Sequence, residues 1–177
     1  MHDLLKPHGV LMLATAVMLL EPGAWCHFGT CCTSFCWINS GTHRRSAFFP
    51  HGNDQLEYVR NGTRLAALTS AMCQLCYCRG VVFSLENPVN SCLMLDSSMQ
   101  MLLSWMAKRA EEGCDNARVL QHSVSLGSWG AESRKPVWIY CNHDLSAALE
   151  CHGSPERHEP RRGPSLPVTY TCLGYDL

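Results

Sequence analysis

Twelve cysteines in 177 residues constrain this chain more than any other feature. Such a density belongs either to a secreted scaffold held by disulfides or to a reduced protein that uses thiols as small hydrophobes. Placement separates the two. Cys31 and Cys32 are adjacent, and Cys73, Cys76 and Cys78 crowd the end of one helical stretch, where they cannot all find distant partners. Cys26, Cys92 and Cys141 sit in apolar runs, as buried free thiols do. Reduced thiols and an intracellular location, nucleus or cytoplasm, are the expectation; a small secreted cysteine-rich disulfide protein is the alternative. Asn61-Gly62-Thr63 is a glycosylation sequon that matters only for that alternative.

The chain is 46% hydrophobic and 16% charged, where soluble domains carry ~25% charged residues. That excludes an intrinsically disordered chain. Fourteen Lys and Arg against fifteen Asp and Glu leave a net charge of -1, so no global basic excess pulls it toward nucleic acid or an anionic membrane. Its length suits one domain with a real core. Val10 to Leu20 is apolar but falls short of the ~20 residues a bilayer requires. Asp3 and Lys6 cancel ahead of it, and Glu21-Pro22-Gly23 replaces a small-residue cleavage site, so it reads as a buried helix rather than a signal peptide. No membrane partner is expected.

Period and punctuation predict alternating elements. Gly9 to Leu20 is a helix stopped by Pro22-Gly23, and Ala24 to Gly29 a buried strand. Thr30 to Asn53 reads as a long loop, a length that in compact domains often marks function. Asp54 to Arg79 returns to helical spacing, with Asp54 as cap and Gly62 as a weak point that divides it in two. Val81 to Leu85 is the clearest strand, halted by Glu86-Asn87-Pro88. Ser97 to Glu112 is a capped helix, Arg118 to Leu126 and Val137 to Asn142 are strands, and His143 to Glu150 is a short helix. Residues 1–152 form the predicted α/β domain, and residues 153–177 a flexible, polar, Pro-rich tail. In such sheets function collects in loops at the carboxyl ends of parallel strands.

Two such loops carry chemistry. One opens Gly29-Thr30-Cys31-Cys32-Thr33-Ser34-Phe35, and the other is Glu86-Asn87-Pro88-Val89-Asn90-Ser91. A thiol on one and a carboxylate on its neighbour suit nucleophilic attack with an acid alongside. Read without further help, Cys32 is one of many buried thiols and Glu86 caps a turn.

The first loop resembles the Gly-Thr-Pro-Cys-Ser-Ser-Phe segment of cytosine-5 DNA methyltransferase-like proteins. The strand into Glu86-Asn87-Pro88 is similar to the Glu-Asn-Pro/Val motif of that superfamily. Gly127 to Asn142, with Gly130, Lys135-Pro136 and Cys141-Asn142, resembles its later Gly…Lys-Pro-Thr…Thr-Asn strand in divergent members. The matches run in order over residues 3 to 150. The resemblance implies a partial doubly wound, methyltransferase-like Rossmann fold with a mostly parallel sheet. It implies Cys32 as the nucleophile that adds to carbon 6 of a flipped-out cytosine, and Glu86 as the acid at ring nitrogen 3. Asn87, Pro88, Arg134 and Lys135 are then substrate-binding candidates, a nucleic acid the partner, and S-adenosylmethionine the methyl donor.

Two departures stand beside the match. Cys31 occupies the place of the family's proline, and no Gly-rich strand–loop–helix for S-adenosylmethionine precedes Val10. The resemblance therefore implies the carboxyl half of such a fold, a fragment or a degenerate relative, with a raw sheet edge where strands are missing. A non-catalytic interaction domain built on the same sheet is the competing expectation. Cys73-x-x-Cys76-x-Cys78 with Cys141, His143, Cys151 and His152 is a weaker zinc pattern, because Cys73 and Cys76 lie on a predicted helix. His43-Arg44-Arg45 reads as solvated surface, with phosphate contact as the lesser reading, and Trp105 and Met101 read as core.

Overall fold

The computed structural model describes residues 3–126 and 136–150. The elements run α1 (Pro7–Met18), β1 (Trp25–Gly29), α2 (Ser40–His43), α3 (Glu57–Cys78), β2 (Val82–Pro88), α4 (Ser97–Glu111), β3 (Leu120–Ser125), β4 (Pro136–Cys141) and α5 (Ser146–Glu150). Single turns of 3-10 helix precede α2 and α4.

Pro7 opens α1, where its missing N–H would have no helical partner in any case. Gly9, Leu13 and Val17 recur every four residues and form its buried line. The turn behind it uses Gly23 at φ +85°. α4 is capped by Asp96, whose carboxylate accepts from the Ser98 N–H at 3.0 Å, and is stopped by Gly113 at φ +80°. α3 is one unbroken helix, not two. Gly62 lies buried where the chain after β1 crosses, and a Cβ there would run into Ser34 Oγ. Close approach, not helix weakness, explains that glycine.

The four strands form one sheet in the order β1-β2-β4-β3. β1 and β2 are parallel, joined by the α3 crossover, as the sequence led us to expect. The pairing is mixed rather than mostly parallel, because β4 runs antiparallel to both β2 and β3. β2 is longer than predicted. It continues through Glu86 and Asn87 to Pro88, which is tolerated as the last residue of the ladder, opposite Val137.

Cys26 pairs with Phe83 and Phe28 with Leu85, and these share one sheet face by the two-residue alternation of strands. That face packs on α1, α3 and α4 in a single core with Phe35, Cys73, Cys76, Met99, Leu102 and Met106. The opposite face carries Trp25, His27, Ser84 and Glu86. The loop after β1 is more ordered than predicted: Trp37–Asn39 and Ser40–His43 are helical. Among the described residues no helix is long and apolar enough to cross a membrane. The predicted tail over 153–177 lies outside the described residues.

Candidate active site

β1 and β2 deliver their carboxyl ends to the same edge of the sheet, with Gly29 in register with Glu86. Cys32 follows three residues beyond Gly29, half-buried, and Glu86 is half-buried in the last turn of the ladder. Glu86 is thus fixed by the strand itself, not by a loop beyond it. The main chain around Cys32 is fixed by its connections. Thr30 Oγ1 and Thr69 Oγ1 share a hydrogen bond of 2.8 Å that ties the start of the loop to α3. The Cys32 carbonyl then accepts from the N–H groups of Phe35 and Cys36 at 2.8 and 2.9 Å, closing a tight turn.

The two predicted loops are stitched to one another. Trp37 donates its N–H to the Asn90 carbonyl at 2.8 Å, Cys92 donates to the Phe35 carbonyl at 2.8 Å, and Cys36 and Ser91 form an antiparallel bridge between them. Fully buried Phe35 nails the junction to the core. The structure therefore brings the Cys32 and Glu86 segments together. Asn87 goes elsewhere: it is 1% exposed and sits on the sheet face opposite Glu86, its Oδ1 buried without a protein partner. Pro88 is buried at the end of β2. Arg134 and Lys135 lie outside the described residues.

Sequence reading missed His27. Two positions before Gly29, it bonds through Nδ1 to Ser84 Oγ at 2.8 Å, and Ser84 also accepts from Trp25 Nε1 at 2.7 Å. Burial lowers the imidazole pKa, and the nearby Glu86 charge opposes that shift. The period-2 pattern of β1 puts His27 on the Glu86 face, which was the available signal.

His43 and Arg45 correct the surface reading. Both are buried, and only Arg44 is exposed, at φ 56°. His43 Nε2 bonds the Cys36 carbonyl at 2.8 Å, and its Nδ1 accepts from the Arg45 N–H at 2.9 Å. The Arg45 guanidinium stacks 3.9 Å over Phe35 and donates to the carbonyls of Pro50 and Val59 and to Thr63 Oγ1. A buried cation thus braces the thiol loop from below, and burial lowers its pKa. Met101 is a second correction. It is 68% exposed, while Trp105 is half-buried edge-on to Tyr77.

The ten described cysteines are free thiols. Cys73 and Cys76 face the core, and Cys76 donates a hydrogen bond to Cys26, which raises the first thiol pKa and lowers the second. Burial raises the Cys141 thiol to about 11. Among the described residues no cluster of three His, Cys, Asp or Glu side chains is placed to hold a metal ion.

Beside the Cys32 loop the described residues leave little room for S-adenosylmethionine. The pocket beside the Cys31 loop, between Phe28, Leu13 and Leu68, has a volume of about 30 Å³, room for one or two waters. Pockets for ligands of this size run to ~300 Å³ and more. A helix, α1, rather than a Gly-rich strand–loop–helix, precedes β1.

Comparison with protein-family models, curated proteins and solved structures finds no match to this chain.

Proposed function

We propose that the chain carries the thiol-and-carboxylate portion of a cytosine-5 methyltransferase-like site, and that its partner is a nucleic acid. One observation supports this reading above the others. The Cys32 loop and Glu86 leave adjoining parallel strands at one sheet edge, with main-chain bonds tying the loops that follow. In this reading the Cys32 thiolate adds to carbon 6 of an extruded cytosine while Glu86 hydrogen-bonds ring nitrogen 3. Asn87 and Pro88 shape the Glu86 strand end, and Arg134 and Lys135 are the residues assigned to phosphate. The doubly wound, methyltransferase-like form of the fold is part of the same proposal.

No methyl-transfer step is derived, because the pocket beside the Cys32 loop is too small for S-adenosylmethionine. Titration of the chain with S-adenosylmethionine in a calorimeter is expected to give only heat of dilution. Thiol addition is tested separately by exchange of the cytosine carbon-5 hydrogen, which addition at carbon 6 labilises without any methyl donor. Loss of that exchange on Cys32→Ser supports the reading, and no exchange by the folded chain overturns it.

The small pocket favours a second reading, a non-catalytic interaction domain that keeps the sheet. In that case Cys32→Ser changes the thiol count and nothing else.

A further inference from the structure

α4 and the segment that leads into β3 border a cavity of about 520 Å³. Met106 and Ala117, both buried, make its floor. Leu103, Ala107 and Ala110 follow the four- and three-residue spacing of one helix face and form one wall, and Val119 and Leu120 form the other. The volume is ordinary for a small-molecule site and far exceeds that of the pocket beside the Cys32 loop. Leu120 is in register with Cys141, and Cys141 with Ser84, so residues 117–119 lie level with the start of β2, away from the end that carries Glu86.

Two opposite charges border this cavity, Glu111 at the end of α4 and Arg118. Among the described residues neither forms an ion pair, with the other or with a third group. The main-chain N–H and C=O groups of Arg118 and Val119, both half-buried, likewise have no hydrogen bond among the described residues. Half-buried main chain stays unpaired only where water or a ligand meets it. A neutral apolar ligand would leave both charges unmatched, and a simple anion would face the Glu111 carboxylate. A zwitterion matches both. Its carboxylate accepts from the Arg118 guanidinium and from main-chain N–H groups, and its ammonium donates to Glu111 and to main-chain carbonyls. The apolar walls receive the rest of the molecule, which favours a large aromatic side chain and refuses a charged one.

We propose that this cavity binds a free α-amino acid with an aromatic side chain, held at its charged end by Arg118 and Glu111. The proposal does not rest on Cys32 or Glu86.

The test is NMR titration of the full chain with L-tryptophan. Saturable shifts are expected at the amides of residues 103–111 and 117–120, with a Kd below ~1 mM. Tryptamine lacks the carboxylate and indole-3-propionate lacks the ammonium, so each binds at least ~10-fold more weakly, the scale of one lost charged hydrogen bond. Arg118→Gln and Glu111→Gln each cost at least the same ~10-fold. Amides outside the cavity keep their positions in both variants, which shows that the domain still folds. The proposal is overturned if L-tryptophan gives no saturable shift, or if its shifts fall at Phe28 and Leu68 instead. It is equally overturned if indole alone binds as tightly as L-tryptophan, or if either variant binds as the parent chain does.

Discussion

Glu86 lies close enough to His27 for its charge to oppose the lowering that burial imposes on the imidazole. The two side chains share one sheet face, on adjoining parallel strands, next to the Cys32 turn. Glu86→Gln removes the opposing charge, so the His27 pKa falls further below 6.5, read from its ring proton shifts across a pH series. No change would place Glu86 away from this face. The sign for stability follows. A lowered folded pKa means the unfolded chain takes up the proton first as pH falls, so stability declines below about pH 6.5. His27→Gln flattens that decline.

The thiols separate by burial. Cys78 and Cys114 are exposed and react first with a thiol reagent, and half-buried Cys31, Cys32 and Cys36 follow. Buried Cys26, Cys73, Cys76, Cys92 and Cys141 react only on unfolding. Burial raises the Cys141 thiol from an ordinary 9.0 to about 11. Over that interval the unfolded chain loses its proton and the folded chain keeps it, so the denaturation midpoint falls as pH rises from 9 to 11. A midpoint constant across that range contradicts the burial.

Gly62→Ala opposes two effects. Alanine favours a helix over glycine by ~1 kcal/mol, but the added Cβ meets Ser34 Oγ beneath the Cys32 loop. Overpacking of this kind costs ~1–3 kcal/mol. We expect net destabilisation of ~1 kcal/mol in urea unfolding, with Cys32 labelled faster; a stabilised variant would refute the close packing.

Arg45→Ala leaves the Pro50 carbonyl without its guanidinium donor, takes one of the donors from the Val59 carbonyl, which keeps Thr63 Oγ1, and removes the cation from the Phe35 ring. A loss of ~3 kcal/mol is expected from the lost hydrogen bonds and the packing of a fully buried side chain. A cost within ~0.5 kcal/mol would mean the guanidinium is a surface group after all.

Strands and helices with a strong period were legible in the sequence. Val81 to Leu85 announced β2, and Ser97 to Glu112 announced α4, because burial there follows the local pattern. What escaped was set by distant contacts. Gly62 looked like a break because the crossing Ser34 is 28 positions away in the chain. Arg45 looked solvated because its partners lie at Phe35, Val59 and Thr63. β4 reads as an ordinary strand, yet nothing local says that it inverts and inserts between β2 and β3. In the site, the approach of the two loops was legible from the parallel order of β1 and β2, whereas His27 required knowing which face Glu86 occupies.

The proposed pairing of the Cys32 sulfur with the Glu86 carboxyl is tested most directly by tritium release. A cytosine-containing oligonucleotide labelled at carbon 5 is incubated with the full chain, with no methyl donor. Addition of the thiolate makes carbon 5 basic, and protonation there followed by elimination passes the label to water. The account predicts release that disappears with Cys32→Ser and drops at least ~100-fold with Glu86→Gln, the scale of one general acid. Release that Cys32→Ser leaves intact, or none from the folded parent chain, would contradict it.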